Sequence, residues 1–142
     1  LFNLYMFAVY DYLRYESESI VKVTLSSPIK NDMDFDIFLF KWLELYNNKR
    51  PFIFIFDTSN VGYIPLKYSL RMSIFIKDLK KQEYQYLQKS IILVNSNMVK
   101  YMLDFIFMIQ PPVAPVYITN DDKDINNIIN NIDTMSTHIL PR

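Results

Sequence analysis

The chain has 142 residues, no cysteine, one histidine, one glycine and 15 basic against 15 acidic side chains. That length suits one domain, and 51% hydrophobic with 16% aromatic residues point to a packed core rather than disorder. Zero net charge argues against a nucleic-acid binder, which needs a basic surface, and zero cysteine excludes thiolate catalysis, disulfide frameworks, zinc fingers and iron–sulfur ligation.

In chain order, Asn3 to Tyr15 is rich in Tyr, Phe, Val and Leu and predicts a first strand. Its apolar start, Leu1 to Tyr10, is too short to span a bilayer and has no basic flank. Ile20 to Leu25 alternates apolar with polar residues as a half-buried strand does, and Glu16 to Ser19 reads as the turn of an antiparallel hairpin. A loop over Pro28 to Asp34 ends in carboxylates suited to a helix start. Over Asp34 to Asn48 the period changes. Phe35, Phe38, Leu39, Trp42, Leu45 and Tyr46 fall three and four apart on one helical face.

Phe52 to Phe56 is a continuous apolar run closed by Asp57, the pattern of a strand covered on both faces. A loop over Thr58 to Pro65 leads into a helix reaching about Gln88. Its buried stripe is Tyr68, Met72, Phe75, Ile76 and Leu79, with lysines and Asp78 for the outer side. Ser90 to Val94 predicts a second buried strand, Asn97 to Ile109 a helix stopped by Pro111 and Pro112, and Pro115 to Thr119 a short strand. Ile125, Ile128, Ile129 and Ile132 make a last amphipathic stripe behind Asp121 and Asp122.

The order β-β-α-β-α-β-α-β-α predicts an α/β fold, a mostly parallel sheet of about five strands with helices beside it. One domain over residues 1–133 is expected, followed by a loose tail over 134–142. No segment is long enough for a transmembrane helix, so the chain reads as soluble, intracellular or part of a larger assembly, with no residue naming the compartment. A start at Leu1 rather than Met is expected of a fragment or a processed form. Abundant Ile, Asn, Lys, Tyr and Phe reflect an A/T-rich genome.

Chemistry-bearing residues are few. His138 cannot form a multi-histidine metal site and sits in the expected tail, and one glycine, Gly62, cannot build a Gly-rich phosphate loop. Asp32, Asp34 and Asp36 are spaced like the start of a calcium loop. Position twelve from Asp32 is Leu43, however, so the trio reads as a helix start. Lys77, Lys80 and Lys81 suit the negative end of their helix and are too few to define an anionic-lipid site.

Asp57, Thr58, Ser59 and Asn60 would lie at a strand's carboxyl end, where open α/β sheets bind ligands. With Asn95 to Asn97 and Thr119 to Asp122 they form a polar rim able to dock a hydroxyl or phosphate ligand, or simply to cap helices and turns. No histidine is at hand to activate Ser59 or Thr58, so no catalytic residue, cofactor or metal is expected and the chain reads as non-enzymatic.

The apolar surplus of helix 97–109 says more. Tyr101, Phe105 and Met108 cannot share the face used by Met102, Leu103, Ile106 and Ile109. An exposed apolar patch marks contact with a partner, a membrane or a ligand. A protein partner or second copy is the expected occupant, with the N-terminal strand segment as an internal cover and lipid as the alternatives.

The element order resembles the STAS domain, the α/β module of sporulation anti-anti-sigma factors. Family members carry an aspartate or asparagine in the third strand, a Ser-Gly turn, an apolar pair, then Asp-Ser-Ser-Gly opening the next helix. Asp57, Ser59, Val61, Tyr63 and Ile64 match the aspartate, the turn serine and the apolar residues, and Pro65, Leu66, Lys67 and Tyr68 replace the last four. The family's phosphorylated serine falls on Lys67, so the resemblance implies the scaffold without its switch, a static interaction or structural module. A second resemblance is to the CRAL-TRIO fold of Sec14-like lipid carriers, through the apolar strand ending in Asp57, the run Lys89 to Ser96, the apolar helix and the strand at Pro115 to Thr119. That resemblance implies lipid binding or transfer.

Overall fold

The computed structural model describes residues 6–14, 19–131 and 138–140. Its elements are β1 (Ala8–Arg14), β2 (Ser19–Ser26), α1 (Asp32–Leu45), β3 (Phe52–Asn60), α2 (Leu66–Leu79), β4 (Leu87–Leu93), α3 (Asn97–Ile109), β5 (Val116–Thr119), α4 (Lys123–Ile129) and β6 (His138–Leu140). Most of the expected hairpin turn, the first five residues and Ile132 lie outside the described residues.

The strands lie side by side in chain order. β1 runs antiparallel to β2, and β2 through β5 are parallel. Successive right-handed crossovers that step one way across a sheet leave every crossover helix on the same face. The core divides accordingly. Phe52, Phe54, Phe56, Val23 and Ile92 pack with residues of α1, α2 and α3. On the other face Ile20, Ile53, Ile55 and Ile91 pack with Ile128 of the short α4. The continuous run Phe52 to Phe56 is thus buried on both sides, phenylalanines toward three helices and isoleucines toward one.

Helix α1 begins where Asn31 accepts the Asp34 amide on its side chain at 3.1 Å. Its stripe buries Phe35, Phe38, Trp42 and Leu45, with the Trp42 ring edge-on to Phe54 at 4.8 Å and to Phe75 at 5.2 Å. Helix α3 is capped by the Ser96 hydroxyl, which accepts the Val99 amide at 3.2 Å.

Four expectations change. Strand β3 continues through Thr58 to Asn60 instead of turning at Asp57, because β2 supplies ladder partners, Thr24 for Asp57 and Ser26 for Asn60. Helix α2 stops at Leu79 rather than near Gln88. The amides of Lys80, Lys81 and Gln82 fold back on Ile76, Asp78 and Leu79, and no apolar residue follows at helical spacing. Strand β4 starts early, at Leu87, drawn in by its pairing with Phe52. A loose tail does not hold at His138–Leu140, which pair antiparallel with β5 and extend the five-stranded sheet by one short strand. A four-residue strand at a sheet edge leaves amides and carbonyls open to such pairing. The rest of 134–142 lies outside the described residues. Among the described residues no helix is long and apolar enough to cross a membrane.

Candidate functional site

The polar rim forms at the carboxyl ends of β3, β4 and β5, and several of its side chains hydrogen-bond to neighbouring backbone or to one another. Thr58 is buried, and its hydroxyl donates to the Leu93 carbonyl at 2.6 Å. Asp57 Oδ1 accepts the Ser59 amide at 2.9 Å, the hydrogen-bonded turn that Asp makes with its own backbone. Asn95 Nδ2 donates to Ser59 Oγ at 3.0 Å, so two strand ends are stitched together. The Asn60 carbonyl accepts the Ser27 amide at 3.4 Å. Thr119 donates to Asp124 at 2.8 Å and accepts the Asp121 amide, fixing the entry to α4. Asp57, Thr58 and Ser59 thus lie beside Asn95 and hold the ends of β3 and β4 together, while Asn60 contributes its backbone carbonyl. Among the described residues no three His, Cys, Asp or Glu gather closely enough to hold a metal ion.

The aspartates opening α1 face α2. Lys67 Nζ lies 3.0 Å from Asp32, Tyr68 donates to the same carboxylate at 2.9 Å, and Arg71 pairs with Asp36. The hydrogen bond from Lys67, then that from Tyr68, holds the Asp32 carboxyl below its ordinary value. Lys67 is therefore a cation paired with a neighbouring helix.

The apolar surface lies on α2 and α3. Val99, Leu103 and Ile106 are buried, while Tyr101 and Met108 are 70% and 74% exposed and Phe105 is half-buried. Ile109, expected in the buried stripe, is exposed. It sits about 80° around the helix from the stripe's centre, on the flank that also carries Met98 and Phe105. That flank borders a groove of about 290 Å³ whose other wall is Gly62, Tyr63, Ile64 and Leu66. The Gly62 amide donates to Ser27 Oγ at 2.6 Å, which pins this wall to the end of β2.

Sequence reasoning missed the other half of the surface. Leu66, Leu70 and Ile74 stand exposed along α2, where lysines were expected to dominate, and Met33, Ile37 and Phe40 stand exposed along α1. The signal was present as a second stripe at spacing four beside the buried one. β1 lies at the far sheet edge, next to β2, so the described part of the N-terminal strand does not cover α3.

Behind these helices is an apolar cavity of about 110 Å³, between the sheet and α1, α2 and α3. Trp42, Phe56, Ile92, Leu103 and Val116 are among its walls. Ile64, Ser69 and Met102 line both the cavity and the outer groove, and form a partition between them. At the rear Trp42 Nε1 is buried without a hydrogen-bond partner among the described residues. It lies close enough to the Tyr46 hydroxyl to oppose its shift without reaching hydrogen-bond geometry. Burial pushes that hydroxyl up to about 12, against smaller opposing effects of Trp42 and of Gln85, to which Tyr46 donates.

No family model, curated protein or solved structure matches the chain. Its function is read from its own residues and geometry.

Proposed function

We propose that this chain is a non-enzymatic interaction domain, a structural or scaffolding subunit that docks a protein partner on the outer side of α2 and α3. The observation that carries the reading is the exposed apolar surface of Tyr63, Leu66, Leu70, Ile74, Tyr101 and Met108 around the α2–α3 groove. Covering one such side chain is worth about 1.5–3 kcal/mol, so the set reaches the scale needed to offset association costs of about 4–15 kcal/mol. Tyr and Met suit such a surface, the first pairing area with a polar tip and the second adapting its shape.

A STAS-like scaffold fits the reading, supported by the element order and by the strand-end residues Asp57 and Ser59. At the serine position Lys67 is held by Asp32, which supports a static module over a phosphorylation switch. The polar rim supports the same view through Asp57, Thr58, Ser59 and Asn95, whose side-chain hydrogen bonds are made within the fold. A CRAL-TRIO-like lipid carrier draws less support. The interior cavity is about 110 Å³, well under the roughly 300–1,000 Å³ of a site that encloses a drug-sized ligand.

The test is native mass spectrometry of the chain isolated under gentle conditions from its source, beside a variant carrying Tyr101→Lys and Phe105→Lys. A defined assembly lost in the variant, with unchanged circular dichroism, is the expected result. A monomer in both, or an assembly indifferent to the substitutions, refutes docking through this surface.

A further inference from the structure

We propose that the partly open apolar pocket between the sheet and α1–α3 is a binding site for a hydrocarbon group lacking hydrogen-bonding atoms, a ring of benzene size or the end of an alkyl chain. Its volume of about 110 Å³ would admit about three waters at roughly 30 Å³ each, but a buried water needs two to four polar partners. The residues lining it include four with hydroxyl side chains, Thr58, Tyr68, Ser69 and Ser90, and Thr58 already donates to the Leu93 carbonyl and Tyr68 to Asp32. Apart from these hydroxyls and the indole N–H of Trp42, the lining side chains are hydrocarbon, aromatic ring or thioether, so the space is poor for water and suited to an apolar guest. Apolar cavities of about 150 Å³ stay dry and bind benzene or xenon. This one is of the same order and much too small for a whole lipid.

A route in is also visible. Ile64 and Met102, both half-buried, stand with Ser69 between the cavity and the outer groove. Met102 has three rotatable side-chain bonds and can swing without displacing backbone. An alkyl chain lying between Leu66 and Tyr101 would bring its tip to this partition. The site faces inward, so it stands independently of the proposed protein docking on the outside.

Trp42 is the only tryptophan of the chain and lines the cavity, which makes contact quenching by bromine a direct readout. The intact chain is titrated with bromobenzene and, separately, with ω-bromododecanoate. Saturable quenching by bromobenzene is expected, reversed by benzene and weakened at least about tenfold by filling the cavity with Ala114→Leu. Val116→Ile, a one-methyl filler, is the second variant should the first fail to fold, and weakens binding in the same direction. Quenching that rises linearly without saturation, or that is unchanged in a folded filled variant, overturns the proposal.

The second probe separates the sources of the group. Saturable quenching by the bromoacid that is lost in the Tyr101→Lys, Phe105→Lys variant, while bromobenzene still binds, assigns the site to chain ends entering through the groove. Quenching by bromobenzene alone assigns it to free small apolar molecules.

Discussion

Replacing Val116 by Ile places one extra methyl group into the cavity behind α2 and α3, since Val116 lies on its wall at the helix-facing side of β5. The pocket of about 110 Å³ on this side of β5 leaves room for that methyl. One methyl fills part of that volume and gains about 0.5–0.8 kcal/mol of apolar burial. Ile is as strand-compatible as Val, so the backbone gives nothing back. The control is Val23→Ile. Val23 is fully buried in β2, away from the cavity, and the same methyl there overpacks at a cost of about 1–3 kcal/mol. Urea unfolding followed by circular dichroism and by Trp42 fluorescence measures both. The midpoint should rise for Val116→Ile and fall for Val23→Ile with m unchanged. Equal destabilisation by the two substitutions would show that the space behind Val116 is filled, and would refute the reasoning.

Two further outcomes concern pH. Tyr46 is held neutral in the fold to about pH 12, whereas its unfolded value is near 10, so its contribution is fully present below about pH 10 and is lost as pH rises toward 12. Tyr46→Phe should flatten the stability curve over that window, and an unchanged slope in alkaline denaturation would refute the assignment. Asp32 has its folded value depressed by Lys67 and Tyr68, so its contribution is present above the ordinary aspartate value of 3.8 and is lost as pH falls through the lower folded value. Calorimetric melting from about pH 5 to 2 should show a shallower acid loss for Asp32→Asn, and identical profiles would count against the clamp between α1 and α2.

Much of the α/β layer could be read from particular residues. Phe35, Phe38 and Trp42 declared the buried side of α1 by spacing alone, and helix 97–109 was ended by a pair of prolines. Surplus apolar residues on α3 pointed to Tyr101, Phe105 and Met108, and the structure exposes the first and last of these while half-burying Phe105. The groove was not legible, because its far wall, Tyr63 and Leu66, comes from the loop before α2 and the start of that helix, more than thirty residues away in the chain. The rim tetrad was legible as a location. Its use was not, since whether Ser59 meets a ligand or the Asn95 amide depends on how β3 and β4 align.

The sequence by itself determined the location of β1 to β5 and of the four helices and the buried side of most of them, because periodicity and capping act over a few residues. Only the tertiary structure decided where those segments end and what their apolar sides meet. β3 runs on to Asn60 because β2 offers it partners, and residues 138–140 become a strand because β5 leaves an open edge. The stripe Leu66, Leu70 and Ile74 stays outside because α2 has only one side on the sheet and Tyr68, Phe75 and Ile76 take it. The cavity is likewise a property of how three helices meet one sheet. A void has no residue of its own, and only the distances between packed elements create it.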